Sequence, residues 1–393
     1  MSGALEGVRV IDLTNTVLGP FATQLLGDAG ADVIKVEPPA GDLVHYIGPH
    51  RTRGMGAYFL NLNRNKRSVV LDLKHAPARD ALLRLIAGAD VLVYNMRPPA
   101  AARLGIDYAS LAPTHPRLIH ASASGYRQNS SMHGEPAYDD IIQGESGLAS
   151  LNGRAAGADG PRYVPSVMAD KISGQTLTAA IALALYARER SGHGQALHVP
   201  MLDAVLAFLL PEHLWGATIG DEEAGVGYPR MLTPHRRPYA TADGHLCLIA
   251  VTDEQWKRLY KVIERPDLAD DPRFANTAAR SANVEFVYAL LAAALRQRTT
   301  ADWLQRLANA DIPHGAANSL EDLLNDDYLR ETGFFRDVAH PSEGETKALA
   351  PPVDYSATPA TIRRPAPRLG EHTVEVLSEA GFDAAAIAAI RAC

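Results

Sequence analysis

Short apolar runs rich in valine and isoleucine alternate with amphipathic stretches through the first two hundred residues. VRVIDL, Val8 to Leu13, is one such run, and DVIKVE, Asp32 to Glu37, is the next. Between them Gly19-Pro20 opens a helix through Leu26, with proline where its missing N–H does no harm, and Gly30 ends it. SVVLDL (Ser68 to Leu73), ADVLVYN (Ala89 to Asn95) and RLIHASA (Arg117 to Ala123) predict further strands, with a helix over Pro77 to Ala87. Strands spaced by helices predict a parallel sheet covered on both faces.

A second pattern begins after Trp215. GDEEAGVGYPRMLTPHRRPYATADG is rich in glycine, proline and charge and reads as a linker. HLCLIAV, His245 to Val251, predicts a strand, and Asp253 is placed as the cap of a helix carrying Trp256 and Leu259. Helical spacing recurs at Ala282 to Arg296, Thr300 to Ala310 and Leu320 to Asn325, giving a smaller α/β unit. Five prolines between Ala350 and Pro367 predict extended chain, and a last helix pair follows from Glu371 to Ala392.

Composition narrows the class. The 393 residues suffice for two domains, and 47% hydrophobic with 21% charged residues is globular composition. A net charge of −7 argues against a nucleic-acid partner. The most apolar stretch, Leu177 to Tyr186, falls short of the about 20 residues a membrane helix needs, and MSGALEGVRVIDL lacks signal-peptide character. Two cysteines, Cys247 and Cys393, imply neither a disulfide framework nor a zinc cluster, so a cytoplasmic enzyme is expected. The 14 histidines show no metal-ligand spacing, and no metal is predicted.

Several motifs are absent. The first strand–helix turn, TNTVLGP, has one glycine where a dinucleotide fingerprint needs several, and neither a P-loop nor an HExxH motif occurs. Basic residues cluster at Arg64, Lys66, Arg67 and Lys74, followed by Arg97 and Arg103. They read either as a solvated surface or as a cradle for a phosphorylated ligand; the carboxyl ends of parallel strands favour the cradle. Asp170 stands at the head of a long small-residue helix and reads in two compatible ways. It is a preferred N-cap, and it is a carboxylate that the helix start would keep ionised for attack on an electrophilic carbon.

The segments LEGVRVIDLTNTVLGP, LLGDAGADVIKVEPPAGD, LNRNKRSVVLDLK, ADVLVYNMRP, VMADKISGQTLTAAIALALYARERSGHGQ and RRPAPRLGEHTVEVL resemble, in order, the class III coenzyme A transferases, the CaiB/BaiF or formyl-CoA transferase family. The resemblance implies a Rossmann-like parallel-sheet large domain plus a smaller α/β domain, and a homodimer interlocked like links of a chain. The large domain would comprise residues 1–215 and a return segment, 331–393, with the small domain at 216–330. It implies Asp170, in the ADxxxG segment, as a nucleophile passing through aspartyl anhydrides and an aspartyl-CoA thioester. Coenzyme A is then a substrate, exchanged between an acyl-CoA donor and a carboxylic acid acceptor, with no tightly bound cofactor.

By the same resemblance CoA contacts Val17, Leu18, Leu71, Lys74, Asn95, Met96 and Arg103, with Arg97 beside them. The related 2-methylacyl-CoA racemases pair the aspartate with a histidine; here Tyr138 takes that place, in EPAYDD, and a tyrosine is a poor base at neutral pH. Tyr138 is read as lining the acyl pocket or as a plain core tyrosine. A racemase-like epimerase and a non-catalytic CoA-binding protein remain the alternatives. Two departures bear on substrate. The family's glycine-rich active-site loop has no counterpart in GYPRMLTPHRRPY, which argues against oxalate and formate. Arg127, in ASGYRQ, is expected to pair with the far carboxylate of a dicarboxylic acyl group such as succinyl.

Overall fold

The computed structural model describes residues 3–392, so the reading of Cys393 lies outside the described residues. The chain divides into two compact units. The larger comprises the chain up to Ser146, Pro165–Phe208, and everything from Tyr328 on; the smaller comprises Gly147–Val164 and Leu209–Asp327.

Six strands form the sheet of the larger unit: β1 (Arg9–Leu13), β2 (Asp32–Glu37), β3 (Lys66–Val70), β4 (Val91–Tyr94), β5 (Ile119–Ser124) and β6 (Ala196–Pro200). They are parallel throughout, in the order β3-β2-β1-β4-β5-β6. That order is the doubly wound Rossmann arrangement, in which the chain winds outward in both directions from a switch point between β1 and β4. Alternate residues serve opposite faces. Val10, Val33, Val91 and Val93 join the cluster that packs Leu26 and Leu177, whereas Ile11, Ile34 and Leu92 join the cluster that packs Leu82 and Ile86. Continuous Val/Ile/Leu runs are what a sheet buried on both sides requires.

The Leu18–Asp28 helix and the long Met168–Ser191 helix lie together on the first face. Gly174 lets them touch: a Cβ there would meet the Leu18 carbonyl oxygen at 2.7 Å and the Phe21 ring at 3.1 Å. The second face is covered by the Ala76–Ala87 helix and the two C-terminal helices, Thr373–Glu379 and Ala384–Arg391. The C-terminal segment is tied in by polar contacts as well. Asn65 accepts hydrogen bonds from the Arg363 and Arg364 N–H groups, and Arg67 pairs with Glu375 and Glu379.

The smaller unit holds a three-stranded antiparallel sheet of Tyr239–Ala240, His245–Leu248 and His314–Ala316, packed by helices Asp253–Val262, Val284–Leu295 and Thr300–Asn309. Its first helix corrects one expectation. Thr252, not Asp253, is the N-cap, because Thr252 and Gln255 form a reciprocal capping box. Two other expectations shift: the third strand begins two residues before SVVLDL and ends three residues before its end, and an antiparallel hairpin, Phe335–His340 with Gly344–Leu349, was not foreseen. Among the described residues no helix is long and apolar enough to cross a membrane.

Candidate active site

Beyond the carboxyl ends of β1 and β4 the backbone parts in opposite directions and leaves a crevice. Asn15 and Asn95 bridge it: the Asn15 N–H donates to Asn95 Oδ1 at 3.1 Å, and Asn95 Nδ2 donates to the Asn15 carbonyl at 3.0 Å. The cleft beside this bridge, of about 210 Å³, is lined by Thr16, Val17, Leu18, Asn95, Arg97, Ser124, Tyr138 and Asp170. Two helix starts therefore face it, Val17–Leu18 of the first helix and Asp170 of the long helix. Unpaired N–H groups at such ends favour a bound negative charge.

The turn after β1 is held from beneath by buried charges. Lys35, fully buried, donates to the Thr14 carbonyl at 2.8 Å and pairs with Asp42 at 3.2 Å. Asp42 in turn accepts from the Thr16 N–H at 3.0 Å. These contacts fix Thr16 at φ 68°, a left-handed conformation a threonine adopts only when its surroundings impose it.

Asp170 is the third residue of its helix, not the cap, and its backbone N–H donates to Asp139 Oδ1 at 3.1 Å. The capping role expected of Asp170 thus falls to Asp139, which the sequence reading passed over beside Tyr138. Asp139 is itself fixed, because its Oδ2 accepts from Gln143 Nε2 at 2.6 Å. Asp170 is 9% exposed. Burial, reinforced by the like charge of Asp139, pushes its pKa up to about 7. The expectation that the helix start keeps Asp170 fully ionised is therefore corrected: loss of water and a neighbouring carboxylate outweigh the helix dipole. Burial and the same two carboxylates also push the Tyr58 phenol up.

Two measurable consequences follow. A nucleophilic Asp170 must be ionised, so kcat/KM should climb about tenfold per pH unit below 7 and level off above it. Replacing Asp139 with Asn should move that limb to lower pH; a limb that stays in place would detach it from Asp170. Stability runs the other way. Between pH 4 and 7 the native protein keeps a proton that the unfolded chain has lost, so stability falls as pH rises through that window. The gap from 3.8 to about 7 sets a ceiling of about 4 kcal/mol. Asp170→Asn should accordingly raise Tm at pH 8 and leave it nearly unchanged at pH 4, as read by scanning calorimetry.

The other expected contacts line the same edge of the sheet. Leu71 and Lys74 follow β3, and Asn95, Met96 and Arg97 follow β4. Val17, Leu18, Asn95, Arg97 and Tyr138 join Asp170 in the cleft; Leu71, Lys74, Met96 and Arg103 do not line it. Leu71 is buried and Met96 packs against the same apolar cluster, whereas Lys74 and Arg103 are exposed. Tyr138 is 69% exposed, so the core-tyrosine reading is set aside.

The basic cradle shrinks. Arg64 pairs with Asp28, fully buried Lys66 with Asp12, and Arg67 with Asp32, Glu375 and Glu379, which leaves only Lys74, Arg97 and Arg103 open to a ligand. Arg127 is bound by Asp203 and does not line the cleft, so it is not placed to read a substrate carboxylate there.

A Rossmann sheet with a buried carboxylate and two helix starts at its switch point is an α/β arrangement suited to an anionic ligand. Residues 5–373 match CoA-transferase family III, and the chain belongs to that family. It is 34% identical over 385 residues to a succinate–glutarate CoA-transferase of Agrobacterium fabrum, covering 95% of each chain. It is 39% identical over 320 residues to an acetyl-CoA:oxalate CoA-transferase of Acetobacter aceti, covering 80% of each. A solved CaiB/BaiF family protein from Brucella suis superposes with a TM-score of 0.82 at 29% identity, over 97% of this chain and 100% of the other. The protein is a CoA-transferase, moving CoA between an acyl-CoA and a carboxylic acid.

Proposed function

We propose that Asp170 carries CoA transfer covalently, with a dicarboxylic acid among the substrates. One observation supports this above the rest: Asp170 is a nearly buried carboxylate opening on the switch-point cleft, with its pKa pushed up to about 7. A desolvated carboxylate of raised basicity is a better nucleophile than one in water, and near pH 7 a large fraction remains ionised. Its oxygen attacks the thioester carbonyl of the donor, giving an aspartyl–acyl anhydride and CoA thiolate. The thiolate attacks the aspartyl carbonyl, forming an aspartyl-CoA thioester and freeing the donor acid. The acceptor carboxylate attacks that thioester to form a second anhydride and release thiolate again. Thiolate attack on the acceptor's acyl carbon then yields the new acyl-CoA and restores Asp170.

In this reading the diphosphate end of CoA lies along the strand ends toward Lys74, Arg97 and Arg103, with Leu71, Asn95 and Met96 beneath it. The pantetheine arm approaches the backbone at Val17 and Leu18, and Tyr138 borders the acyl group. Dicarboxylic substrates are favoured by the relatives named for succinate, glutarate and oxalate. The oxalate relative also removes the ground for excluding that acid from the lack of a glycine-rich loop alone. Leu183 and Tyr186, three apart on the long helix and 69% and 63% exposed, suit burial against a second copy in an interlocked dimer.

The test is direct. Incubation with succinyl-CoA followed by borohydride and intact-mass spectrometry should show a modification that maps to Asp170. An unmodified chain that still exchanges CoA would end the covalent reading. A panel of mono- and dicarboxylic acceptors assigns the acid, and light scattering should give twice the 42.2 kDa chain mass.

A further inference from the structure

The smaller unit contains a cavity of about 520 Å³, larger than the Asp170 cleft and lined entirely by residues of that unit. Its volume is in the range of sites that hold small organic molecules. Its walls are of two kinds. Leu248, Ile249, Leu291 and Trp256 give it an apolar lining. Three cations, Arg230, Arg236 and Arg237, line it as well.

None of the three arginines forms an ion pair among the described residues, and no aspartate or glutamate lines the cavity. Four other arginines of the same unit are paired, Arg258 with Asp311, Arg265 with Asp267, Arg273 with Asp271 and Arg280 with Asp253, but it is here that three unpaired ones line one cavity. Arg230 is oriented by donating from Nε to the Tyr288 hydroxyl at 3.1 Å. Three unpaired guanidinium groups sharing a cavity with apolar side chains suit an occupant with an anionic head and an apolar body. Trp256 offers a flat surface suited to a ring or a branched chain.

We propose that this cavity binds a carboxylic acid with an aromatic or branched apolar body, its carboxylate held by Arg236 and Arg237. The site does not depend on the covalent role of Asp170. A phosphate on a flat base shares the same chemistry, so the test separates the two sources.

Cys247 lines the cavity as an exposed free thiol and reports its occupancy. Alkylation of Cys247 by iodoacetamide, followed by peptide mass spectrometry, is measured on the full chain with phenylacetate, 3-methylbutyrate, inorganic phosphate or adenosine 3′,5′-bisphosphate. Phenylacetate is expected to slow alkylation at least fivefold and saturably, with phosphate and the bisphosphate without effect. Replacing both arginines, R236A with R237A, should raise the half-protecting concentration at least tenfold, and R236K with R237K should restore part of it. Both residues are exposed, so neither pair of changes threatens the fold. Asp170→Ala should be protected like the wild type, even if the covalent mechanism fails. The proposal is overturned if neither acid protects, if the bisphosphate or phosphate protects as well as the acids, if the alanine pair is still protected, or if Asp170→Ala loses protection.

Discussion

Asp170→Ala is expected to lower CoA exchange by about 10⁴-fold or more, because covalent catalysis has no substitute once its nucleophile is gone. The neighbouring carboxylate cannot take over. Asp139 already accepts from the Asp170 backbone N–H through one oxygen and from Gln143 through the other. Moving it toward the cleft would uncap the long helix. The variant should be fully folded by circular dichroism, since the carboxylate it removes is buried at a cost. Chromatographic measurement of acyl-CoA exchange decides the matter: a variant retaining more than about one per cent of the wild-type rate is incompatible with an aspartyl intermediate.

The second large effect falls on stability. Asp12, fully buried under the sheet edge, accepts from the Thr14 N–H at 2.8 Å, Thr23 Oγ1 at 2.6 Å and Lys66 Nζ at 3.2 Å. Burial alone would raise its pKa, but Lys66 and Lys35, with the two threonine hydroxyls, hold it down at about 2. Asp12→Ala strands Lys66 in a dry interior without its carboxylate, while Lys35 keeps Asp42; removing one partner of such a buried pair costs about 3–5 kcal/mol. Against a total stability of roughly 5–15 kcal/mol this should lower Tm by about 5–15 °C at pH 7. The native carboxylate lies below its unfolded value of 3.8, so its contribution is complete above pH 4 and disappears as pH falls toward 2. Melts of wild type and variant should therefore converge in acid. Equal melting temperatures at pH 7 would show that the network carries little of the fold. Since Asp12 itself accepts from the Thr14 N–H, the same change should loosen the turn that lines the cleft and raise KM for acyl-CoA.

The sheet was legible because its strands are apolar on both faces and separated by helices with clear stops; DVIKVE forms a strand over its full length. What escaped was amphipathic or short. ALHVP, now β6, is an edge strand with only Val199 fully buried, and FRDVAH and GETKAL pair as a largely exposed hairpin. Strands that bury so little leave a weak pattern. The basic cluster misled for another reason. The carboxylates that neutralise Lys66 and Arg67 are as remote in the chain as Asp12 and Glu379, and only the finished topology brings them together. Asp170 was visible as a residue, but its basicity was not, because that depends on Asp139, thirty-one positions away, and on burial.

The composition of the larger unit from distant parts of the chain also constrains its biosynthesis. Asn65 and Arg67 find their partners at Arg363, Arg364, Glu375 and Glu379, which leave the ribosome only after Leu209–Asp327 has been made. Those partners lie 298 to 312 residues further on, so at roughly 5–20 residues per second that delay is about 15–60 seconds. Through that interval β3 and the part of the second face that the two C-terminal helices cover stand exposed, with only the Ala76–Ala87 helix on that face. Expression at low temperature or with chaperones should therefore help this chain more than its size alone would suggest, and truncation before Thr373 should yield insoluble protein.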